Sequence, residues 1–321
     1  MINQTKIKQL NIGDDVDHFL LVNKYDFKTT KAGKEFLDLM LSDDSGIINA
    51  KIWDGFEPLK PKLKNGMVLK IKGVVTEFMG APQIKTSTFR ISVENDGVSA
   101  KDFLPKSERP LSEMLNELYQ RIDFIQNPFL KDLLKLVFEK NKLNQYQNAP
   151  AGKAWHHAYI HGLLEHTLEI VKICDLMCDI HKILDRDLLI TGAILHDFGK
   201  TEELEFENNF DYTDKGKLLG HIVIAAIEID KQCAKISEFP DELKNKLIHL
   251  VLSHQGKLEF ATPVEPKFIE AIVLYHADEL SAKTNAYKSA VINDANSGSD
   301  WTRYLPLAGT SLLIPGELKK K

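Results

Sequence analysis

The chain has 321 residues, 43% of them hydrophobic, and a formal net charge of −5, enough apolar material for two domains that each bury a core. It contains no run of about 18 apolar residues, and its first segment, MINQTKIKQL, lacks the apolar stretch of a signal peptide, so a cytoplasmic protein without a membrane span is expected. Cys174, Cys178 and Cys233 are odd in number and lack zinc-finger spacing, which argues against a disulfide framework.

The first hundred residues read as strands. HFLLVNKYDFKT, EFLDLMLSD, INAKIWD, MVLKIKGVVTEF and QIKTSTFRISV are β-branched and aromatic runs, several alternating with period two. Asp43-Asp44-Ser45-Gly46, Asn65-Gly66 and Gly80-Ala81-Pro82 supply the turns between them. Five short strands in about ninety residues, with room for a short helix near Phe56 to Leu63, predict an all-β OB-fold barrel over residues 1–95. Its aromatic residues interleave with lysines. Aromatic faces stack bases and lysines track phosphates, which makes Tyr25, Trp53, Phe78 and Lys72 candidates for a single-stranded nucleic-acid face, although most of the aromatics should be barrel core.

Residues 96–109, NDGVSAKDFLPKSE, are polar with Gly and Pro and read as a linker. From Pro110 the pattern turns helical, beginning with Leu111, Leu115, Leu118 and Ile122 at three- and four-residue spacing. Helices are predicted at 111–125, 128–141, 160–180, 186–198, 217–235, 240–254 and 266–284, an all-α domain over 110–285. The last segment, 286–321, has no clear period and reads as an irregular tail.

Six residues on these helices carry ligand chemistry: His166, His196, Asp197, His221, His254 and Asp278. Neutral imidazole and carboxylate suit Mn, Fe, Co, Ni or Zn, and a carboxylate next to a histidine on one helix can bridge two ions. A lone histidine on an apolar face is more often structural, but six such residues in order point to a metal site. Asp278 in particular is expensive to bury unless it is paired or metal-bound. His196-Asp197 ends the apolar run LLITGAILHDFGK, and Lys200, about one turn beyond Asp197, is a candidate catalytic contact for a phosphate or leaving oxygen. The alternative for Lys200 is a solvent-facing lysine at a helix end.

The ordered pattern H…HD…H…H…D resembles the HD-domain metal-dependent phosphohydrolases over about residues 150–285. More narrowly, HHAYIHGLLEHT, ILHDFGK, KLLGHI, SHQGKLEF and EAIVLYHADELSAK behind an OB-like domain resemble the YhaM-type 3′-5′ exoribonucleases. His161-Gly162 departs from the GGLLEH that similar proteins tend to show, and His254-Gln255 departs from a double histidine; neither removes a core position. The resemblance implies an OB-fold followed by an HD domain, single-stranded RNA or DNA as substrate, and a preference for manganese. It allows a homo-oligomer, for which the sequence shows no coiled coil. His156 and His157, in the HHA motif, are expected to line the substrate entrance.

By chemistry, His166, His196, Asp197 and Asp278 would hold one ion, and Asp197, His221 and His254 a second, with Asp197 and Lys200 the catalytic pair. Such ions would activate water for phosphodiester hydrolysis to nucleoside 5′-monophosphates. A single-ion version stays open, as do Co, Fe, Ni, Zn or Mg in place of Mn. Two rival readings remain: an HD enzyme acting on small nucleotides, and a non-catalytic nucleic-acid-binding module.

Overall fold

The computed structural model describes residues 4–78, 80–295 and 297–319. The chain divides into two compact units, residues 1–106 with 205–211, and residues 107–204 with 212–321.

Alternation of inward apolar residues builds the first unit as a five-stranded closed barrel. Strands β1 (Asp15–Thr29), β2 (Glu35–Ser42), β3 (Ile47–Ile52), β4 (Val68–Phe78) and β5 (Ala81–Ile91) close in the order β1-β2-β3-β5-β4. Long β1 serves two partners. Its first half pairs with β4 from Asp15↔Val74 to Leu21↔Val68, and its second half pairs with β2 from Leu21↔Ser42 to Thr29↔Glu35, with a register shift between Val22 and Lys24. The shift lets Leu20, Leu21 and Val22 all be buried in a row, which strict alternation would forbid. Leu20, Leu37, Leu39, Leu41, Ile71 and Ile84 fill the interior, with Phe56, Leu59 and Leu63 packed against them from the segment between β3 and β4. The expected short helix there is a single 3-10 turn, Glu57–Leu59. In the β2–β3 turn the Asp43 side chain accepts from the backbone N–H groups of Ser45 (2.8 Å) and Gly46 (3.0 Å), which gives that tight loop its hydrogen bonds without strand partners.

The segment expected as a linker is not bare. Two 3-10 turns, Glu94–Asp96 and Ala100–Asp102, run through it, and Ala100, Phe103 and Leu104 are buried. The polar letters of 96–109 concealed three apolar anchors.

The second unit is helical: α1 (Leu111–Asp123), α2 (Pro128–Val137), α3 (Lys140–Asn148), α4 (Gly162–Ile180), α5 (Arg186–Leu195), α6 (Lys200–Glu203), α7 (Asp214–Cys233), α8 (Asp241–Ser253) and α9 (Ile269–Asp294). A two-stranded hairpin, β6 (Leu204–Glu205) with β7 (Asp211–Tyr212), precedes α7. Starts are set by local chemistry. The Asn127 side chain accepts from the N–H groups of Phe129 and Leu130 ahead of α2, Asp185 accepts from Leu188 ahead of α5, and Thr213 accepts from Gly216 ahead of α7. The run predicted as one helix over 128–141 stops at Val137, and α3 begins at Lys140. Helix α9 continues through 285 to Asp294, and the tail beyond it is irregular with isolated bridges Trp301↔Leu313 and Leu305↔Thr310.

Helices α4 and α5 form the centre of this unit. Leu188 to Leu195 are buried without interruption, and α4 packs against α1, α3, α5 and α9, which is why both read as apolar with little amphipathic contrast. Among the described residues no helix is long and apolar enough to cross a membrane.

Candidate metal centre and nucleic-acid face

The six ligand-type residues come from five different helices or helix ends. His166 lies in α4, His196 and Asp197 follow α5, His221 lies in α7, His254 follows α8, and Asp278 lies in α9. They converge on Asp197, whose side chain is only 2% exposed. Its two oxygens face different partners. Oδ2 is 3.3 Å from His196 Nε2 and 3.7 Å from His166 Nε2, whereas Oδ1 is 3.3 Å from His221 Nε2 and 3.6 Å from His254 Nε2. Asp278 Oδ1 stands 3.1 Å from His166 Nε2. Two triads result, His166–His196–Asp197 and Asp197–His221–His254, each with ligand atoms within 4.8 Å of one another.

Every imidazole is turned the same way. His196 Nδ1 donates to the carbonyl of Ala193 (2.8 Å) and His254 Nδ1 to that of Val251 (2.7 Å), each using an unpaired carbonyl at the end of its own helix. His221 Nδ1 is 3.0 Å from Glu203 Oε1, and His166 Nδ1 is 3.0 Å from Ser281 Oγ, which donates onward to Glu169 Oε2 at 2.7 Å. With Nδ1 carrying the proton, each Nε2 lone pair points into the centre, the arrangement that metal-binding histidines adopt. His166 Nε2, His196 Nε2 and Asp197 Oδ1 find no hydrogen-bond partner among the described residues. Buried acceptors left without donors are costly for a protein and are what a cation would satisfy, so the donor set fits divalent ions.

Two glycines make the convergence possible. Gly220 adopts φ 70°, ψ 155°, a left-handed break in α7 just before His221 that re-aims the imidazole. A Cβ at Gly199 would collide with the carbonyl oxygen of His221, so only glycine lets the turn after Asp197 approach α7 closely.

Lys200 is not a solvent-facing lysine. It is 8% exposed, and its Nζ is 2.6 Å from Asp197 Oδ2. Burial by itself would push the Asp197 carboxyl up, but the Lys200 ammonium, with His196 and His221, holds it well below the usual carboxylate range. Burial opposes the charge on Lys200 as well, and Asp197 outweighs it, so the lysine pKa is raised. Burial lowers His166 well below the ordinary imidazole value and brings His254 down to about 4, which keeps both rings neutral and able to ligate near neutral pH.

His157, expected at a substrate entrance, is 1% exposed. Its Nε2 lies 3.3 Å from Glu169 Oε2 and its backbone N–H donates to Asn285 Oδ1 at 2.9 Å. A ring closed off in this way cannot stack a base, and its place is behind the His166 imidazole, 5.1 Å between ring centroids. The neighbouring His156 has its ring 5.0 Å from that of His166; burial pushes its pKa down to about 2.

Glu203, Ser281 and Glu169 were absent from the sequence-derived set. Glu203 sits in the KTEELE run that reads as solvated charge, and only its spacing of six from Asp197 hints at proximity. Replacing Glu203 with Gln should leave the fold intact, because an amide oxygen can still accept from the His221 N–H, and should weaken divalent-metal affinity about 10- to 100-fold. Calorimetric titration of the two proteins with manganese chloride measures the difference; equal affinities would remove Glu203 from the account.

On the barrel, Trp53 and Phe78 come together with two residues that the sequence left among the general aromatic and lysine set. Trp53 stacks on Phe36 at 4.8 Å, and Lys51 Nζ lies 4.0 Å over the Phe78 ring and 5.7 Å from that of Phe36. Beside them a cleft is lined by Asp38, Asn49, Lys51, Phe78, Pro82 and Gln83. Trp53 and Phe78 are 41% and 50% exposed, so their faces remain available. Tyr25 does not join this face: it is half-buried against the barrel core and edge-on to Phe27 at 5.8 Å. Lys72 stands exposed on β4, 3.1 Å from Asp17, in a separate pair with Lys70.

Comparison with known proteins bears on both units. A model of the HD domain matches residues 163–283, and one of the OB-fold nucleic acid binding domain matches residues 22–92. The chain is 34% identical over 280 residues to the 3′-5′ exoribonuclease YhaM of Bacillus subtilis (strain 168), covering 87% of this chain and 88% of that protein. It is 35% identical over 272 residues to the protein of the same name from Bacillus velezensis, covering 85% and 86%. The relative in Bacillus licheniformis is 34% identical over 280 residues, with 87% and 88% covered.

Proposed function

The chain belongs to the YhaM family of 3′-5′ exoribonucleases, and from that membership we propose that it removes nucleotides from the 3′ end of single-stranded RNA by metal-dependent hydrolysis. The observation that carries the reading is the divided coordination of Asp197, one oxygen toward His166 and His196 and the other toward His221 and His254. We further propose two ions, manganese foremost, and single-stranded DNA as a second substrate.

Two divalent ions so held would supply an activated water and a clamp for the scissile phosphate. The protein's own groups do the rest. Asp197 joins the two triads, and the four Nδ1 contacts keep the imidazoles from turning. No Ser or Cys nucleophile is needed. Water adds to phosphorus, the bond to the 3′ oxygen breaks, and a nucleoside 5′-monophosphate leaves a strand one residue shorter with a 3′ hydroxyl. Lys200, held against Asp197, would face the charge that develops on the leaving oxygen. The stacked pair Trp53–Phe36 and the Lys51–Phe78 pair offer two base-sized aromatic platforms with a cation beside them, suited to a strand of any sequence.

Incubating the protein with manganese and a 5′-labelled single-stranded RNA should give a ladder shortening from the 3′ end. Intact RNA beside rapid turnover of a free nucleotide would instead make this an HD enzyme of small nucleotides. Metal should also stabilise the fold. At a free manganese concentration one hundred times its Kd, the chelator-treated protein should gain about 2.7 kcal/mol and unfold several degrees higher, roughly 2–4 °C per kcal/mol for a domain of this size. Thermal unfolding across a manganese titration measures this, and a flat Tm would count against any metal centre.

A further inference from the structure

Beyond the ligating set, two neighbouring imidazoles, His156 and His157, have ring nitrogens closed to solvent without a hydrogen-bond partner among the described residues, and His157 has the Glu169 carboxylate 3.3 Å away. His156 lies in the loop between α3 and α4. Both of its ring nitrogens are closed to solvent and without a hydrogen-bond partner among the described residues. It packs edge-on to Trp155 at 4.9 Å and against His166 at 5.0 Å, which places it beside the centre rather than in a remote core.

The loop that carries it is over-determined. His157 has φ 43°, a conformation that non-glycine residues seldom take, and its peptide is held on both sides. Its N–H donates to Asn285 Oδ1, and its carbonyl accepts from the N–H groups of Ala151 (3.1 Å) and Tyr159 (2.9 Å). A Cβ on Gly162 would collide with that same carbonyl. The strained residue is His157, and its fixed backbone holds the adjoining His156 in place beside the centre.

A neutral imidazole offers one N–H and one lone pair. His156 belongs to neither triad whose atoms are close enough to share an ion. A ring N–H beside the centre can donate to an anion.

We propose that His156 is a phosphate-contacting residue, donating a ring N–H to a non-bridging oxygen of the scissile phosphodiester. This rests on the exoribonuclease reading of the adjoining centre. The contact strengthens as charge gathers on the phosphate oxygens during attack, so its effect falls mainly on kcat.

The test uses the full chain loaded with manganese, in three forms: the parent, His156→Phe, which keeps a ring without a donor, and His156→Gln, which restores an N–H. Three quantities are read: shortening of single-stranded RNA, binding of inorganic phosphate by calorimetry, and manganese stoichiometry. In His156→Phe, kcat should fall about 100-fold and the phosphate Kd should rise about tenfold, with manganese stoichiometry unchanged. His156→Gln should recover most of both. Loss of a manganese equivalent in His156→Phe would make the residue a metal ligand and overturn the proposal. Parent-like kcat and phosphate affinity in His156→Phe would leave it a packing group and overturn it as well. If the parent itself leaves RNA intact, the exoribonuclease reading fails separately, and the phosphate titration still decides the role of His156.

Discussion

An Asp197→Ala variant should lose RNA hydrolysis by roughly 10⁴-fold, equivalent to about 5.5 kcal/mol of barrier, because one substitution removes the side chain that both histidine pairs face. The same variant should be destabilised before any metal is added. Asp197 and Lys200 are 2% and 8% exposed, and deleting the carboxylate strands a buried ammonium, at a cost of about 3–5 kcal/mol. The two effects can be separated. Asp197→Leu combined with Lys200→Met removes both charges at once, and should recover much of the stability in chelator while staying inactive, since apolar replacement of a whole buried pair is often neutral. Thermal unfolding in EDTA and single-turnover cleavage in manganese measure the two halves. Undiminished cleavage by Asp197→Ala would move the chemistry away from this centre altogether.

The second large effect belongs to the barrel. Trp53→Ala and Phe78→Ala should each weaken binding of single-stranded RNA by about 1–3 kcal/mol, roughly 5- to 150-fold. Lys51 lies over the rings of both Phe78 and Phe36, the latter stacked on Trp53, so the double variant should depart from additivity. A dinucleotide should be hydrolysed with unchanged kcat. Tyr25→Ala should lower stability with little effect on binding, because that ring packs into the barrel core. Fluorescence anisotropy with a labelled oligonucleotide, beside steady-state rates on the dinucleotide, distinguishes these outcomes. Equal losses on long and short substrates would rule out the barrel as the surface that holds the strand.

What could be read from the letters follows from how local each signal is. The helix ends at Leu195 and Ser253 lie close to where apolar periodicity stops, and the strands follow their period-two runs, because burial of one face fixes both. The six ligand-type residues were legible because imidazoles and carboxylates stand out on apolar helices. Their supports were not. Glu203 looks like surface charge until a hairpin and the turn of α7 bring His221 onto it, and Ser281 is one more small residue on a long helix until α4 and α9 pack. His157 shows the converse limit. A histidine in a polar stretch reads as exposed, whereas its burial comes from Glu169 on the next helix and from Asn285, 128 positions away in the chain. Phe36 and Lys51 were indistinguishable from other barrel residues, since outward orientation gives a neighbour only once β2 and β3 are in register at Asp38↔Lys51.

The two histidines that donate to their own helix carbonyls mark a further property of the centre. His196 caps the C-terminal end of α5, and His254 that of α8. Each helix therefore directs the negative end of its macrodipole toward the same few ångströms, worth about 0.3–1 kcal/mol apiece for a nearby cation. Together with Asp197 and Asp278 this makes the cavity a field that attracts positive charge and repels a polyanion. A divalent cation held there would offset that field.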